Sequence, residues 1–277
     1  SRTLRWGLMI EPIGHKPRFI NTFLAVMVGY IMNFTVPRMG EISRCGVLAR
    51  YEKISFTKLF GTVVAERLID VISLLILLII VIFLQFGQMI SFLQHNPEIQ
   101  AKLTSIFTSP YLIFAVVAFV VIAFLFRNTF KQTTIFKKVV AILKNFKEGF
   151  ISIRSIKRKG WFWFHSAFIW FCYYLMLYSL FFAFDFSRYL NPIAGLTTFV
   201  FGSFGMAAPV QGGIGTYHLF VTDALGLYGI SKVNGQTFAL VAHTSMTLMI
   251  IVIGIISILV LPFINRRDDV EEDKTVL

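Results

Sequence analysis

Apolar positions in this chain come in long runs, with none of the strict alternation that marks half-buried strands. Residues 58–84, 110–126, 161–184 and 236–264 form runs close to or above the roughly 20 residues that carry a helix across about 30 Å of hydrocarbon. Between them lie two pairs of shorter apolar pieces. Residues 19–36 and 40–50 are separated by Pro37 and Gly40. Residues 192–208 and 212–228 are separated by Pro209-Val210-Gln211-Gly212-Gly213-Ile214-Gly215. Pieces this short, broken by proline and glycine, read either as full spans or as helices that enter a bilayer and return on the same face, and the second reading is favoured. The pattern predicts an all-α polytopic membrane protein with long transmembrane helices and two broken or re-entrant helical hairpins. Residues 85–109, with His95, Asn96, Pro97, Glu98 and Lys102, read as an external connection. Residues 185–191 read as a short external turn.

Composition agrees with the pattern. Of 277 residues 56% are hydrophobic and only 14% are charged, against about 25% charged in a soluble domain, and mean hydropathy is +0.74. The net charge of +12 changes the picture mainly through its placement. Arg127, Lys131, Lys137, Lys138, Lys144, Lys147, Arg154, Lys157, Arg158 and Lys159 face only Glu148 within residues 127–160. Such a cluster between helices points to the cytoplasmic face and to anionic inner-leaflet lipids rather than to nucleic acid. Ile135, Val139, Ile142, Leu143, Phe146, Phe150 and Ile153 recur in it at helical spacing. Residues 127–160 are therefore either a helix lying on the inner leaflet or a plain basic loop.

Placing residues 127–160 and Arg266-Arg267 inside fixes the rest by parity. Each short pair must leave and return on one face, and the two pairs enter from opposite sides. Residues 19–126 and 161–264 then become the two halves of an inverted repeat, with 265–277 as a cytoplasmic tail. Residues 1–18, with Arg2, Arg5, Lys16 and Arg18, read as a cytoplasmic-face segment. The chain opens on Ser1 rather than Met, which leaves open whether a further helix stands ahead of it. Cys45 and Cys172 show no metal-ligand spacing, and no metal, cofactor or catalytic set is expected.

The candidate chemistry is charge where a bilayer tolerates little. Arg38, Glu41 and Arg44 stand at i, i+3 and i+6. Thr62, Glu66 and Asp70 stand at i, i+4 and i+8 in the run 58–84, with Arg67 beside them. Three arginines against three carboxylates predict one interlocked network that docks the first hairpin on the long helix. Two readings stay open: structural salt bridges, or arginines whose planar forks take the phosphate of an anionic headgroup. Gly212, Gly213 and Gly215 open a short helix whose free N–H groups suit an anion, or they serve close packing. His218 and His243 lie 25 residues apart, a spacing that suits facing helices. Either could instead be an ordinary core histidine.

At these residues the chain resembles the membrane region of lysylphosphatidylglycerol synthases and their stand-alone, flippase-like relatives. The resemblance is carried by Leu4-Arg5-Trp6, Gly29 with Asn33, Pro37-Arg38-Met39-Gly40-Glu41 with Arg44, Gly61-Thr62 with Glu66-Arg67 and Asp70, and Pro209 with Gly212-Gly213-Ile214-Gly215. It implies one flippase-like membrane domain over residues 1–277 with re-entrant elements, linked to moving lipid between leaflets. His218 stands where the family usually has Glu, and His243 lies near where it often has Arg. No aminoacyl-transferring part is expected after residue 265. The expectation is a bacterial inner-membrane protein, not an enzyme, that binds and translocates phospholipid with an anionic or phosphate-bearing headgroup. The substrate-binding residues expected are Arg38, Glu41, Arg44, Glu66, Arg67, Asp70, Gly212, Gly213, Gly215, His218 and His243. The alternatives are a membrane enzyme acting on a lipid phosphate or lipid-linked sugar, for which the acidic tail that starts at Asp268-Asp269 holds the adjacent carboxylates, or an envelope-assembly scaffold. Oligomeric state is not legible.

Overall fold

A computed structural model describes residues 1–95, 105 and 155–275, with the side chains of 88, 89, 91–93, 95 and 266–275 left aside. Among these residues the chain is helical and contains no strand. The helices are α1 (Arg2–Ile10), α2 (Phe19–Thr35), α3 (Met39–Glu52), α4 (Phe56–His95), α5 (Lys159–Phe181), α6 (Pro192–Ala207), α7 (Thr216–Gly226) and α8 (Lys232–Thr275). Short 3-10 turns lie at Glu11–Ile13 and Gln211–Gly213. Among the described residues three helices are long and apolar enough to cross a membrane: Phe56–Gly87, Lys159–Phe181 and Lys232–Asn265. Their outward faces carry Phe83, Ile79, Phe171, Phe164, Leu259 and Phe263, all exposed as lipid-facing side chains are. The protein is an all-α, multi-pass membrane protein.

Both short pairs fold as hairpins, and local chemistry explains each break. Pro37 cannot continue α2, so the chain turns at 36–38. Arg38, just before α3, holds φ of 63°, a left-handed conformation costly for a side chain with a Cβ. The Gly40 N–H then donates to Asn33 Oδ1 at 2.8 Å, so a side chain of α2 satisfies an open donor at the start of α3. A Cβ on Gly40 would overlap the Gly29 carbonyl oxygen, and one on Gly29 would meet the Gly40 carbonyl at 2.9 Å. The two helices therefore cross at backbone contact. Glycine permits this, and in lipid, where hydrophobic transfer gives helices little attraction for one another, such close packing holds them together. In the second hairpin Asn191 caps α6 by accepting the Ala194 N–H at 2.9 Å, with Pro192 at the first helical position. A Cβ on Gly205 would meet the Tyr217 backbone at 2.7 Å.

The two hairpins approach from opposite ends of α8. Near the end of its span, Asn265 and Asn21 exchange amide hydrogen bonds of 2.9 and 3.0 Å, and Asn21 also donates to Glu52 Oε1 at 2.7 Å. Leu261 packs on Leu24 and Val28, and Gly254 lies against Ile31. From the other end, Phe238 packs with Ile230 and Leu225, Gly235 lies against Thr222, and His243 reaches Gly212. The hairpin tips meet between these zones. Arg38 Nη2 donates to the Ala207 carbonyl at 3.1 Å, Gln211 Nε2 donates to the Thr35 carbonyl at 3.3 Å, and Gly212 lies under the Phe34 ring, with φ of 56°.

Some expected boundaries are corrected. The run read as 58–84 is the helix Phe56–His95, so part of the connection placed at 85–109 is helical. No proline interrupts it before Pro97. The tail expected from 265 continues α8 as far as Thr275, through Pro262, because Arg, Asp, Glu and Lys follow without a glycine. Within residues 1–18, read as a cytoplasmic-face segment, α1 packs among α2, α4 and α5 with Arg5 and Trp6 fully buried, while Lys16 and Arg18 are exposed. The span expected at 110–126 and the basic stretch up to residue 154 lie outside the described residues.

The crossing of α2 and α3 generates a comparison within one helix. Gly40→Ala forces backbone apart and is expected to cost about 1–3 kcal/mol or more. Gly46→Ala, with nothing within 4 Å, should be neutral or stabilise by up to about 1 kcal/mol. Thermal unfolding of the two variants in detergent checks this. Equal midpoints would contradict the close crossing.

Candidate functional site

The centre of the molecule is Glu66, whose side chain is 0% exposed. It lies ten residues past Phe56, about 15 Å along α4. A carboxylate there needs opposite charge in direct contact. Arg5 from α1 supplies it at 2.8 Å and Arg44 from α3 at 2.7 Å, one on each carboxylate oxygen. Arg2 Nη1 adds a longer contact of 3.2 Å. One turn on, Asp70 meets Arg5 at 2.8 Å and Arg2 at 3.2 Å. Trp6 closes the site: its Nε1–H donates to Thr62 Oγ1 at 2.9 Å, and its ring lies 4.7 Å from the Arg44 guanidinium. Arg2 Nε donates to the Tyr173 hydroxyl of α5 at 3.0 Å, and Tyr30 of α2 lies 3.2 Å from that hydroxyl. One network thus ties α1, α2, α3, α4 and α5 together.

The expected docking of the first hairpin on the long helix is present, through Arg44 and Glu66. The membership differs from expectation. Arg2 and Arg5 belong to the network although the expected set of three arginines left them out. Arg38 does not: it is exposed at the hairpin tip, bonded to Ala207. Thr62 takes part through its hydroxyl rather than by facing a ligand. The even balance of charge also fails. Among the described residues Arg2, Arg5, Arg44 and Arg67 face Glu41, Glu66 and Asp70, so one positive charge is left over there. Among the described residues fully buried Arg5 has no hydrogen-bond acceptor on Nε or Nη1.

Arg67 is held differently from the rest. Its distances to Glu41, Glu66 and Asp70 are 3.7, 3.6 and 3.6 Å, all beyond good hydrogen-bond length, and its side chain is 39% exposed. Among the described residues Glu41, one turn past the tip, forms an ion pair only with Arg67, and its Oε2 has no hydrogen-bond partner there. A buried inner set (Arg5, Arg44, Glu66, Asp70) held by short contacts therefore lies beside an outer pair with longer contacts (Glu41, Arg67), of which Arg67 is the more exposed.

The second hairpin contributes a different pair. His243 Nε2 lies 2.8 Å from the Gly212 carbonyl, which only accepts, so Nε2 carries the proton. The Gly215 N–H donates to His218 Nδ1 at 3.4 Å, and the two imidazoles stand 4.9 Å apart. The facing-helix spacing read for these residues is present. Gly212 and Gly213 are buried against Phe34 and Met206, which favours the close-packing reading of that turn. Among the described residues no three His, Cys, Asp or Glu side chains converge to hold a metal ion.

Removing the central carboxylate separates the inner set from the outer pair. Glu66→Ala leaves Arg5 and Arg44 buried without their main partner and is expected to cost about 3–5 kcal/mol. Arg67→Ala, which breaks no short contact, should cost less than about 1 kcal/mol. Denaturation midpoints in detergent check the pair, and equal losses would contradict the division.

The model of the lysylphosphatidylglycerol synthase transmembrane region matches residues 1–254. The chain is also 38% identical over 69 residues to a UPF0104 membrane protein of Methanocaldococcus jannaschii. That match covers 24% of this chain and 20% of the relative, so the chain spans about a fifth of the relative's length. No solved structure matches the chain. The family match takes in α1 to α7, both hairpins, the whole Glu66 network and the first part of α8. The chain belongs to the lysylphosphatidylglycerol synthase transmembrane-region family.

Proposed function

We propose that this protein binds phospholipid with an anionic, phosphate-bearing headgroup and carries it between leaflets of a bacterial inner membrane. In this reading the whole chain acts as one membrane domain, with residues 127–160 and the C-terminus in the cytoplasm. The first hairpin then enters from the cytoplasmic side and the second from outside. A headgroup follows the line from Arg38 at the meeting of the tips, past Glu41, to Arg67.

The observation that carries the reading is the unmatched charge. Four arginines lie among three carboxylates in a setting where unpaired charge is costly. The most exposed of the four, Arg67, has the longest contacts. A phosphate at Arg67 would meet a guanidinium that can leave its carboxylates without unpairing Glu66, since Arg5 and Arg44 keep that residue neutralised. Asp70 likewise keeps Arg5 at 2.8 Å and Arg2 at 3.2 Å when Arg67 turns to the incoming anion, which suits reversible loading. Opposed hairpins whose tips meet at mid-depth suit alternate access from the two faces. His218 and His243 would line the far side of that meeting point.

Vesicles containing labelled phosphatidylglycerol test this. The wild type is expected to move label to the opposite leaflet faster than protein-free vesicles do. Arg67→Ala should lose about tenfold or more of that rate, the scale of one charge-assisted hydrogen bond, with its unfolding midpoint unchanged. Wild-type transfer no faster than protein-free vesicles, or full transfer by Arg67→Ala, would overturn the proposal.

A further inference from the structure

The helix that delivers Arg2 and Arg5 to the network has a second face. Arg2, Arg5, Trp6 and Met9 point one way around α1. Thr3, Leu4, Gly7 and Glu11 recur at 3–4 spacing on the opposite side. That opposite side lines a half-open groove of about 340 Å³, at the low end of ligand-site volumes. Leu4, Leu8, Phe19 and Trp161 supply apolar wall, and Lys16, Arg158 and Glu11 supply charge at the rim. Arg158 is bonded to Glu11, which leaves Lys16 exposed and without a partner among the described residues. The rim therefore holds two cations against one carboxylate.

The groove lies where α2 starts at Phe19 and α5 starts at Lys159, with Trp161 and Phe164 of α5 exposed beside it and their rings 5.6 Å apart. Tryptophan and lysine at the ends of membrane helices mark headgroup level. A soluble anion would leave the apolar wall wet, and a neutral lipid would leave Lys16 unanswered. A lipid with a net negative headgroup satisfies both.

We infer that this groove is a separate binding site for one anionic phospholipid. The phosphate sits at Lys16 and Arg158, and an acyl chain lies along Leu4, Leu8 and Trp161. The site lies across α1 from the Glu66 network and does not depend on lipid translocation.

Gly7 provides the test, because it lines the groove and a Cβ there meets nothing within 4 Å. Gly7→Phe fills the groove and also removes a helix-interior glycine, so folding should be kept. The measurement is native mass spectrometry of delipidated protein titrated with phosphatidylglycerol or phosphatidylcholine, in an Arg67→Ala background that sets aside the central site. One phosphatidylglycerol should bind in preference to phosphatidylcholine, and inorganic phosphate should not displace it. Gly7→Phe should abolish this binding, and Lys16→Gln should weaken it about fivefold, the worth of one basic residue near an anionic headgroup. Equal retention of the two lipids, displacement by phosphate alone, or undiminished binding in a folded Gly7→Phe variant would overturn the inference. A failed translocation assay would leave it standing.

Discussion

A buried carboxylate in a membrane protein commits its surroundings. Glu66 sits about 15 Å along α4 with no exposure, and nothing apolar can hold it ionised. Arg5 and Arg44 answer it, one from each neighbouring helix, and each arginine then requires the carboxylate in return. This mutual need fixes α1 against α4 and fixes the first hairpin at a set depth on the same helix. Asp70 extends the constraint to Arg2, and Arg2 extends it to Tyr173 of α5. Van der Waals packing of glycines then completes what charge has positioned, at Gly29 with Gly40 and at Gly205 with Tyr217.

The inner set and the outer pair divide two demands usually made of one cluster. Short contacts around Glu66 resist change. Around Arg67 the contacts are long and the side chain is partly open. Arg38, strained at φ of 63° and tied to the opposite hairpin through Ala207, stands where the two hairpins meet. The histidine pair lies at the corresponding tip of the second hairpin, in contact with its glycine turn. Family membership agrees with this architecture; the lipid chemistry rests on the charge arrangement.

The long helices and the breaks between them were legible because run length and proline report directly on the bilayer and on backbone hydrogen bonding. Arg44 and Glu66 were legible as partners because charge inside an apolar run demands one. Arg2 and Arg5 were missed for a physical reason: α1 is only nine residues long, too short to register as membrane-embedded, and its burial comes from neighbours distant in sequence. The spacing of Arg2, Arg5, Trp6 and Met9 along one helical face was the available signal. Arg38 was misplaced because helical spacing from Arg44 was extended through the turn, where φ reverses sign. The reciprocal pair Asn21–Asn265 was illegible, since two single asparagines 244 residues apart carry no local pattern.

The central claim is that Arg67, and not the Glu66 core, receives the lipid phosphate. The most direct test is an experimental structure of the protein in nanodiscs rich in phosphatidylglycerol. The account predicts a headgroup phosphate within hydrogen-bond distance of the Arg67 guanidinium, with Arg5 and Arg44 still on Glu66. Arg67 seated on its carboxylates and headgroups confined to the outer rim of the protein would contradict it.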